Sequence, residues 1–186
     1  MDMSRIILGI DPGTAVTGYG IISCEGKKMS LISCGVIHVG KYKLSHAEKL
    51  KKIFERTTAL IKEYKPHEMA VEAPFQGKNI QATLKLGRAQ GVAMTAAMIH
   101  DLPVFEYAPR KVKLAVTGRG TASKEQVASM LVSLFTFEEK VSFMDATDGL
   151  AVAVCHFYQG NAIPAASGKK GWSSFLKDNP NRIKKR

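Results

Sequence analysis

Acidic residues are scarce in this chain. Sixteen Asp and Glu stand against 27 Lys and Arg, a formal charge of +11 over 186 residues. An excess of this sign favours a polyanionic partner, either a nucleic acid or an anionic membrane surface. The excess is also uneven. From Asn161 onward seven basic residues face one acid, Asp178, so more than half of the net charge sits in the last 26 residues. Cysteine is scarce too. Cys24, Cys34 and Cys155 are odd in number and widely spaced, which fits neither a disulfide framework nor a zinc site. A reducing, cytoplasmic setting is the expectation, and each thiol, lying among apolar neighbours, reads as a small core residue. Long apolar runs are missing. No stretch reaches the length that crosses a bilayer, and the five residues between Arg5 and Asp11 are too few for the apolar centre of a secretory leader. No membrane partner is expected, and no internal repeat is present.

What remains is an ordinary globular composition. With 45% hydrophobic residues the chain can bury a sizeable core, and its length suits one domain with an appendage. Residues 5–10, 16–23 and 30–39 carry strand signals with short polar links, the pattern of an antiparallel meander. A helix follows to Tyr64, with Ser45 as its N-cap and Glu48 as the capping-box partner. Residues 68–73 read as a core strand. Asn79 starts a helix to about Ile99, whose Gly87, Ala89, Gly91, Ala93, Ala96 and Ala97 are expected to allow close packing. Residues 103–107 form a fifth strand. Ser123, with Gln126, caps a helix to Phe135, and a last, unusually apolar helix runs from Asp145 to about Tyr158. The order β-β-β-α-β-α-β-α-α predicts an α/β fold, a mixed five-stranded sheet with helices on its faces. Beyond Gly160 the chain turns polar and basic and reads as a loose tail, 161–186, after a domain at 1–160.

Within that frame four carboxylates stand out. Asp11 ends the apolar run Ile6-Ile-Leu-Gly-Ile10 and precedes Pro12-Gly13. Either its side chain caps the turn, or it faces a metal or phosphate brought close by the turn; this segment alone does not choose. Glu72 repeats the pattern: apolar strand, carboxylate, then Pro74. If the two strands are parallel neighbours, both acids share one sheet edge, where open α/β sheets bind ligands. Asp145 and Asp148 lie three residues apart on one face of a helix start. Acids there are favoured by the helix dipole alone. The helix that follows, however, is so apolar that it must be buried, which carries both acids onto the core. Gathered together, four carboxylates repel one another and resist ionisation. A hard divalent cation, Mg²⁺ or Mn²⁺, relieves that repulsion, and oxygen-only donors select it over zinc. A basic protein with such a site is most simply a metal-dependent nuclease.

Several longer motifs now resemble one family. They are Ile10-Asp-Pro-Gly-Thr-Ala-Val-Thr-Gly-Tyr-Gly20, Glu72-Ala-Pro-Phe-Gln-Gly-Lys-Asn79, Leu84-Lys-Leu-Gly-Arg-Ala-Gln-Gly-Val92, Pro103-Val-Phe-Glu-Tyr-Ala-Pro-Arg-Lys-Val-Lys113 and Asp145-Ala-Thr-Asp-Gly-Leu-Ala151. In this order they resemble the RuvC family of Holliday-junction resolvases, with a ribonuclease-H-like fold, over about Ile6 to His156. The resemblance implies that Asp11, Glu72, Asp145 and Asp148 are metal-binding catalytic acids. It implies a Mg²⁺-dependent homodimer that nicks a four-way DNA junction symmetrically during recombination and repair, with Mn²⁺ able to substitute. It also implies a branch-migration helicase complex of the RuvA-RuvB type as partner. Phe75 matches an aromatic that stacks on a base at the opened junction. Lys113 and Lys124 match lysines near the scissile phosphate. Lys78, Asn79, Lys85 and Arg88 are expected to face the DNA backbone. Arg119, between Gly118 and Gly120 where relatives commonly carry a small or apolar residue, is an expected extra phosphate contact; the tail does not match closely.

Two other readings compete. The strand-Asp-x-Gly-Thr element also occurs in ATPases of the actin/Hsp70/sugar-kinase class, which carry a second phosphate loop in a second domain; no second loop is found here. A junction-binding protein without chemistry needs only the positive charge, but has no use for four acids.

Overall fold

The computed structural model describes residues 4–40, 44–75, 79–135 and 143–160, without the side chains of 143–145. The predicted tail, 161–186, and Lys78 lie outside the described residues, as does the side chain of Asp145. Five strands, β1 (Arg5–Asp11), β2 (Val16–Glu25), β3 (Lys28–His38), β4 (Glu68–Glu72) and β5 (Val104–Tyr107), form one sheet in the order β3-β2-β1-β4-β5. The expected meander is present: β1 pairs antiparallel with β2, and β2 with β3 across a tight turn where Gly26 takes a positive φ of 57°. The expected parallel half is present as well, with β4 beside β1 and β5 beside β4.

Why β1 is a continuous apolar run is now evident. At β1 both faces of the sheet are covered, so neither parity of side chain along its centre meets water. On one face Leu8, Ile10, Met69 and Val71 pack under α1 (His46–Tyr64) and α2 (Ile80–Met98), through Ile53, Leu60, Ala89, Ala93 and Ala97. On the other, Ile7, Ile22 and Ala70 pack under α3 (Pro109–Thr117), α4 (Lys124–Leu134) and α5 (Phe143–Gly160). Both expected capping boxes are made, Ser45 with Glu48 on α1 and Ser123 with Gln126 on α4. Cys24 and Cys155 are buried and Cys34 half-buried, all three unpaired. Burial, the largest cause, pushes the Cys24 and Cys155 thiols up to about 11.

Two expectations need correction. Helix α3 is missing from the predicted order. Its signals are local and present in the sequence: Pro109 at its first turn and Gly118, in the left-handed region at φ 73°, as its stop. Only Val112 and Val116 are buried along it, too short a stripe for periodicity to register. The second concerns α2. Its alanines do face the core, but a side chain added at Gly87 or Gly91 would meet nothing within 4 Å. At about 100° per residue these glycines lie opposite Ala89 and Ala93, on an outer face with exposed Ile80, Leu84 and Met98.

Helix α5 approaches the sheet more closely than side chains permit. A Cβ at Gly20 would come 2.3 Å from the Cα of Leu150, and one at Gly149 would come 2.5 Å from the Cα of Tyr19. Backbone therefore packs on backbone, and the residue before Gly149 is Asp148.

Candidate active site

The parallel register sets the site. Ile10 pairs with Val71, so the next residues, Asp11 and Glu72, end adjacent strands at the same sheet edge. After Asp11 the chain turns through Pro12 and Gly13. The Thr17 hydroxyl, wholly buried, accepts from the Gly13 N–H and donates to the Gly13 carbonyl, both at 3.2 Å, closing that loop. Glu72 points to the α5 side, where Asp148 arrives from the first turns of the helix. Lys124, the first residue of α4, donates to Asp148 Oδ2 at 2.6 Å.

These groups line a common cleft of about 470 Å³, which Asp11, Glu72, Asp148, Lys124 and the exposed Phe75 share. A narrow extension of about 70 Å³ adds Lys113 beside the same acids. The electrostatics follow from the crowding. Glu72 is pushed up from an ordinary 4.5 to about 8, by burial first and then by the charges of Asp11 and Asp148; Lys124 and Lys113 pull the other way without cancelling the rise. Among the described residues no group of three His, Cys, Asp or Glu is close enough to enclose one ion. The fourth predicted acid, Asp145, lies outside the described side chains. The donor set consists of carboxylate oxygens, and a cation bound among them would relieve the penalty on Glu72.

The remaining predicted residues divide. Phe75 is 72% exposed, so it is no core phenylalanine. Asn79 spends its side-chain oxygen capping α2 through the Ala82 N–H. Lys85 and Arg88 are exposed on the first half of α2. Arg119 is exposed but does not join the cleft; it lines a separate groove between α3 and α4 with Glu125 and Met130.

Sequence reading missed Thr17 and Gln90, which lines the cleft from α2. Each left a faint trace: a threonine four residues after a turn glycine, and a polar residue among Leu86, Ala93 and Ala97 on a core-facing stripe. It also missed a polar chain at the other end of β4. There His156, 4% exposed, sits between Tyr107 and Glu68, with Nδ1 at 2.6 Å from the tyrosine oxygen and Nε2 at 2.6 Å from Glu68 Oε2. Burial, opposed by the hydrogen bond to Glu68, lowers the His156 pKa. The neutral ring must offer the carboxylate its Nε2–H, so Nδ1 accepts from the tyrosine. Arg5 lies 3.7 Å from the same Glu68 oxygen.

Comparison with known proteins gives one answer. The family model described as crossover junction endodeoxyribonuclease RuvC matches residues 7–156. A protein of that description from Cytophaga hutchinsonii is 56% identical over 98% of this chain and 90% of its own length. One from Christiangramia forsetii is 54% identical over 97% and 93%. Among solved structures, T. thermophilus RuvC in complex with a Holliday junction substrate superposes with a TM-score of 0.75 at 30% identity, covering 83% of this chain and 94% of that one. Neither the ATPase reading nor a binder without chemistry is favoured by these matches. Strand-end carboxylates, fold and relatives agree, and the chain belongs to the RuvC family of crossover junction endodeoxyribonucleases.

Proposed function

We propose that the chain resolves four-way DNA junctions by hydrolysing one phosphodiester at each of two symmetry-related sites. The observation that carries this reading is the convergence of Asp11, Glu72 and Asp148 on one cleft, where the half-buried Glu72 carboxyl is pushed up to about 8. A cluster so costly to ionise calls for a cation. Asp11, Glu72, Asp148 and the sequence neighbour Asp145 would hold hard divalent ions, Mg²⁺ by preference and Mn²⁺ as a substitute. When bound, such ions supply an activated water and stabilise the leaving oxygen.

The other side chains have roles that need no metal geometry. Lys124 holds Asp148 in place and, with Lys113, lends positive charge beside the scissile phosphate. Phe75 offers an exposed ring on which a base can stack, worth about 1–3 kcal/mol. Lys78, Asn79, Lys85 and Arg88 track phosphates from the start of α2, and Arg119 reaches a more distant part of an arm. Residues 1–160 form the nuclease domain, and 161–186 add charge that releases counterions on DNA.

Two equivalent sites need two copies. The outer face of α2 supports a homodimer: Ile80, Leu84 and Met98 are exposed, and Gly87 and Gly91 between them leave room for a second helix to approach. A RuvA-RuvB type branch-migration complex would deliver the junction, in the cytoplasm.

The test is direct. A labelled mobile four-way junction should be nicked in paired, symmetric positions with Mg²⁺ and only bound in chelator. Cutting that persists in chelator, or ATP turnover without DNA, overturns the reading.

A further inference from the structure

Gln90 is a buried polar residue on a face of alanines. It is 7% exposed, its neighbours along the core side of α2 are apolar, and its carboxamide is turned toward the end of the sheet. The side-chain nitrogen donates twice. One bond goes to Glu106 Oε2 at 2.5 Å, and a longer one, at 3.4 Å, goes to the backbone carbonyl of Glu72. Both acceptors are informative. The β1–β4 register stops at Ile10 and Val71, so the Glu72 carbonyl lies past its last rung. On the other side the final tie is the Ala73 N–H to the Tyr107 carbonyl at 2.9 Å. Pro74 follows, with no N–H to extend the ladder.

The strand therefore ends where its carboxylate is most strongly repelled. Asp11 and Asp148 push on the Glu72 side chain, and the ladder holds its peptide from one side only, through the Ala73 N–H to Tyr107. Gln90 supplies a second tether, on the carbonyl of that same peptide. Glu106 anchors the tether, because a carboxylate acceptor makes a stronger bond than a neutral one and fixes the carboxamide's orientation.

Resting on the junction-resolving reading above, we infer that Gln90, anchored by Glu106, is a positioning residue that fixes the Glu72 peptide and so presets its carboxylate for a divalent cation. It touches neither phosphate nor metal. Groups that orient ligands in this way typically change metal affinity or activity by about 10–100-fold.

The experiment compares Gln90→Leu, which keeps the volume and removes both donors, with Gln90→Arg, which restores N–H donors. Mn²⁺ binding is followed by electron paramagnetic resonance without DNA, and junction cutting is titrated with Mg²⁺. For Gln90→Leu we expect Mn²⁺ affinity to fall about tenfold, with a matching rise in the Mg²⁺ needed for half-maximal cutting. At saturating Mg²⁺ the rate should fall far less, and Gln90→Arg should recover most of the lost affinity. A folded Gln90→Leu protein with wild-type Mn²⁺ affinity overturns the inference, as does a loss that the arginine leaves untouched. Should Gln90→Leu not fold, exposed Glu106 gives the answer. Glu106→Ala, which removes the anchor, should weaken Mn²⁺ binding more than Glu106→Gln, which keeps an acceptor; equal shifts would assign the effect to charge alone and sink the tether. A wild-type chain that binds no Mn²⁺ and cuts no junction removes the underlying reading. Wild-type cutting with unaltered variants removes the inference alone.

Discussion

Glu68 and Glu72 are the same residue on the same strand, facing the same helix, and they have opposite surroundings. Four strand residues carry β4 about 13 Å from one to the other, and the eight helical residues from His156 back to Asp148 cover about 12 Å. The two elements stay in step. At one end α5 offers Glu68 an imidazole donor, with Arg5 nearby. At the other it offers Glu72 another carboxylate, with Asp11 beside it. Folding provided donors for the first acid and rivals for the second. An acid supplied with donors is explained by the fold itself. One crowded by its own kind is not explained by the fold, and that contrast supports placing the proposed metal site at this end.

The largest effects should come from exchanging charge at each end. Glu72→Gln or Asp11→Asn should lower junction cutting by roughly 10³-fold or more, a loss of about 4 kcal/mol in transition-state stabilisation, with junction binding retained in a gel-shift assay. Glu68→Gln should cut normally. Wild-type nicking by Asp11→Asn would remove that acid from the site.

Stability should respond with opposite signs. In chelator at pH 8, Glu72→Gln should unfold at a higher temperature than the wild type, because it removes a half-buried, repelled charge. Glu68→Ala should unfold at a lower one, by about 1–3 kcal/mol, because His156 loses its acceptor. Equal signs in a thermal melt would erase the distinction.

Proton linkage gives a third contrast. Glu72 holds its proton more tightly folded than unfolded, so its contribution to metal-free stability falls as pH rises from about 4.5 to about 8. His156 holds its proton less tightly folded, so its contribution falls as pH drops through 6.5. Denaturant melts across this range should show the high-pH loss vanish in Glu72→Gln and when Mg²⁺ is added. A loss that survives both would assign it elsewhere.

The smallest effects concern the two exposed aromatics. Phe105, 40% exposed, stacks on His156 with ring centroids 4.4 Å apart, while Phe75 lines the cleft and is 72% exposed. Phe75→Ala should slow cutting about tenfold, from the stacking energy of one base, with no change in melting or Mn²⁺ binding. Phe105→Ala should cost about 1 kcal/mol of stability and leave cutting intact. A melting shift for Phe75→Ala would make that ring structural.

Much of this was legible in the chain because the relevant signals are local. Asp11 and Glu72 each follow an apolar strand and precede a break, and the capped helices carry Ser-x-x-Glu or Ser-x-x-Gln. What escaped is relational. His156 and Glu68 stand 88 residues apart, and no local pattern joins them. Gln90 looks like any polar helix residue until its acceptors are in place. Gly87 and Gly91 were visible as small residues, but which side of α2 meets the sheet is decided by the alanines. Helix α3 was missed although its proline and glycine were in plain view, because two buried valines are a weak rhythm.

The glycine contact beneath α5 has a mechanical consequence. Where main chain rests on main chain, no side chain can rotate to relieve a load, so the helix can neither slide nor lift to let like charges drift apart. The seam acts as a vice. It fixes how far Asp148 stands from the strand ends that carry Asp11 and Glu72, so the spacing of these acids is a property of the backbone and not of any side-chain rotamer.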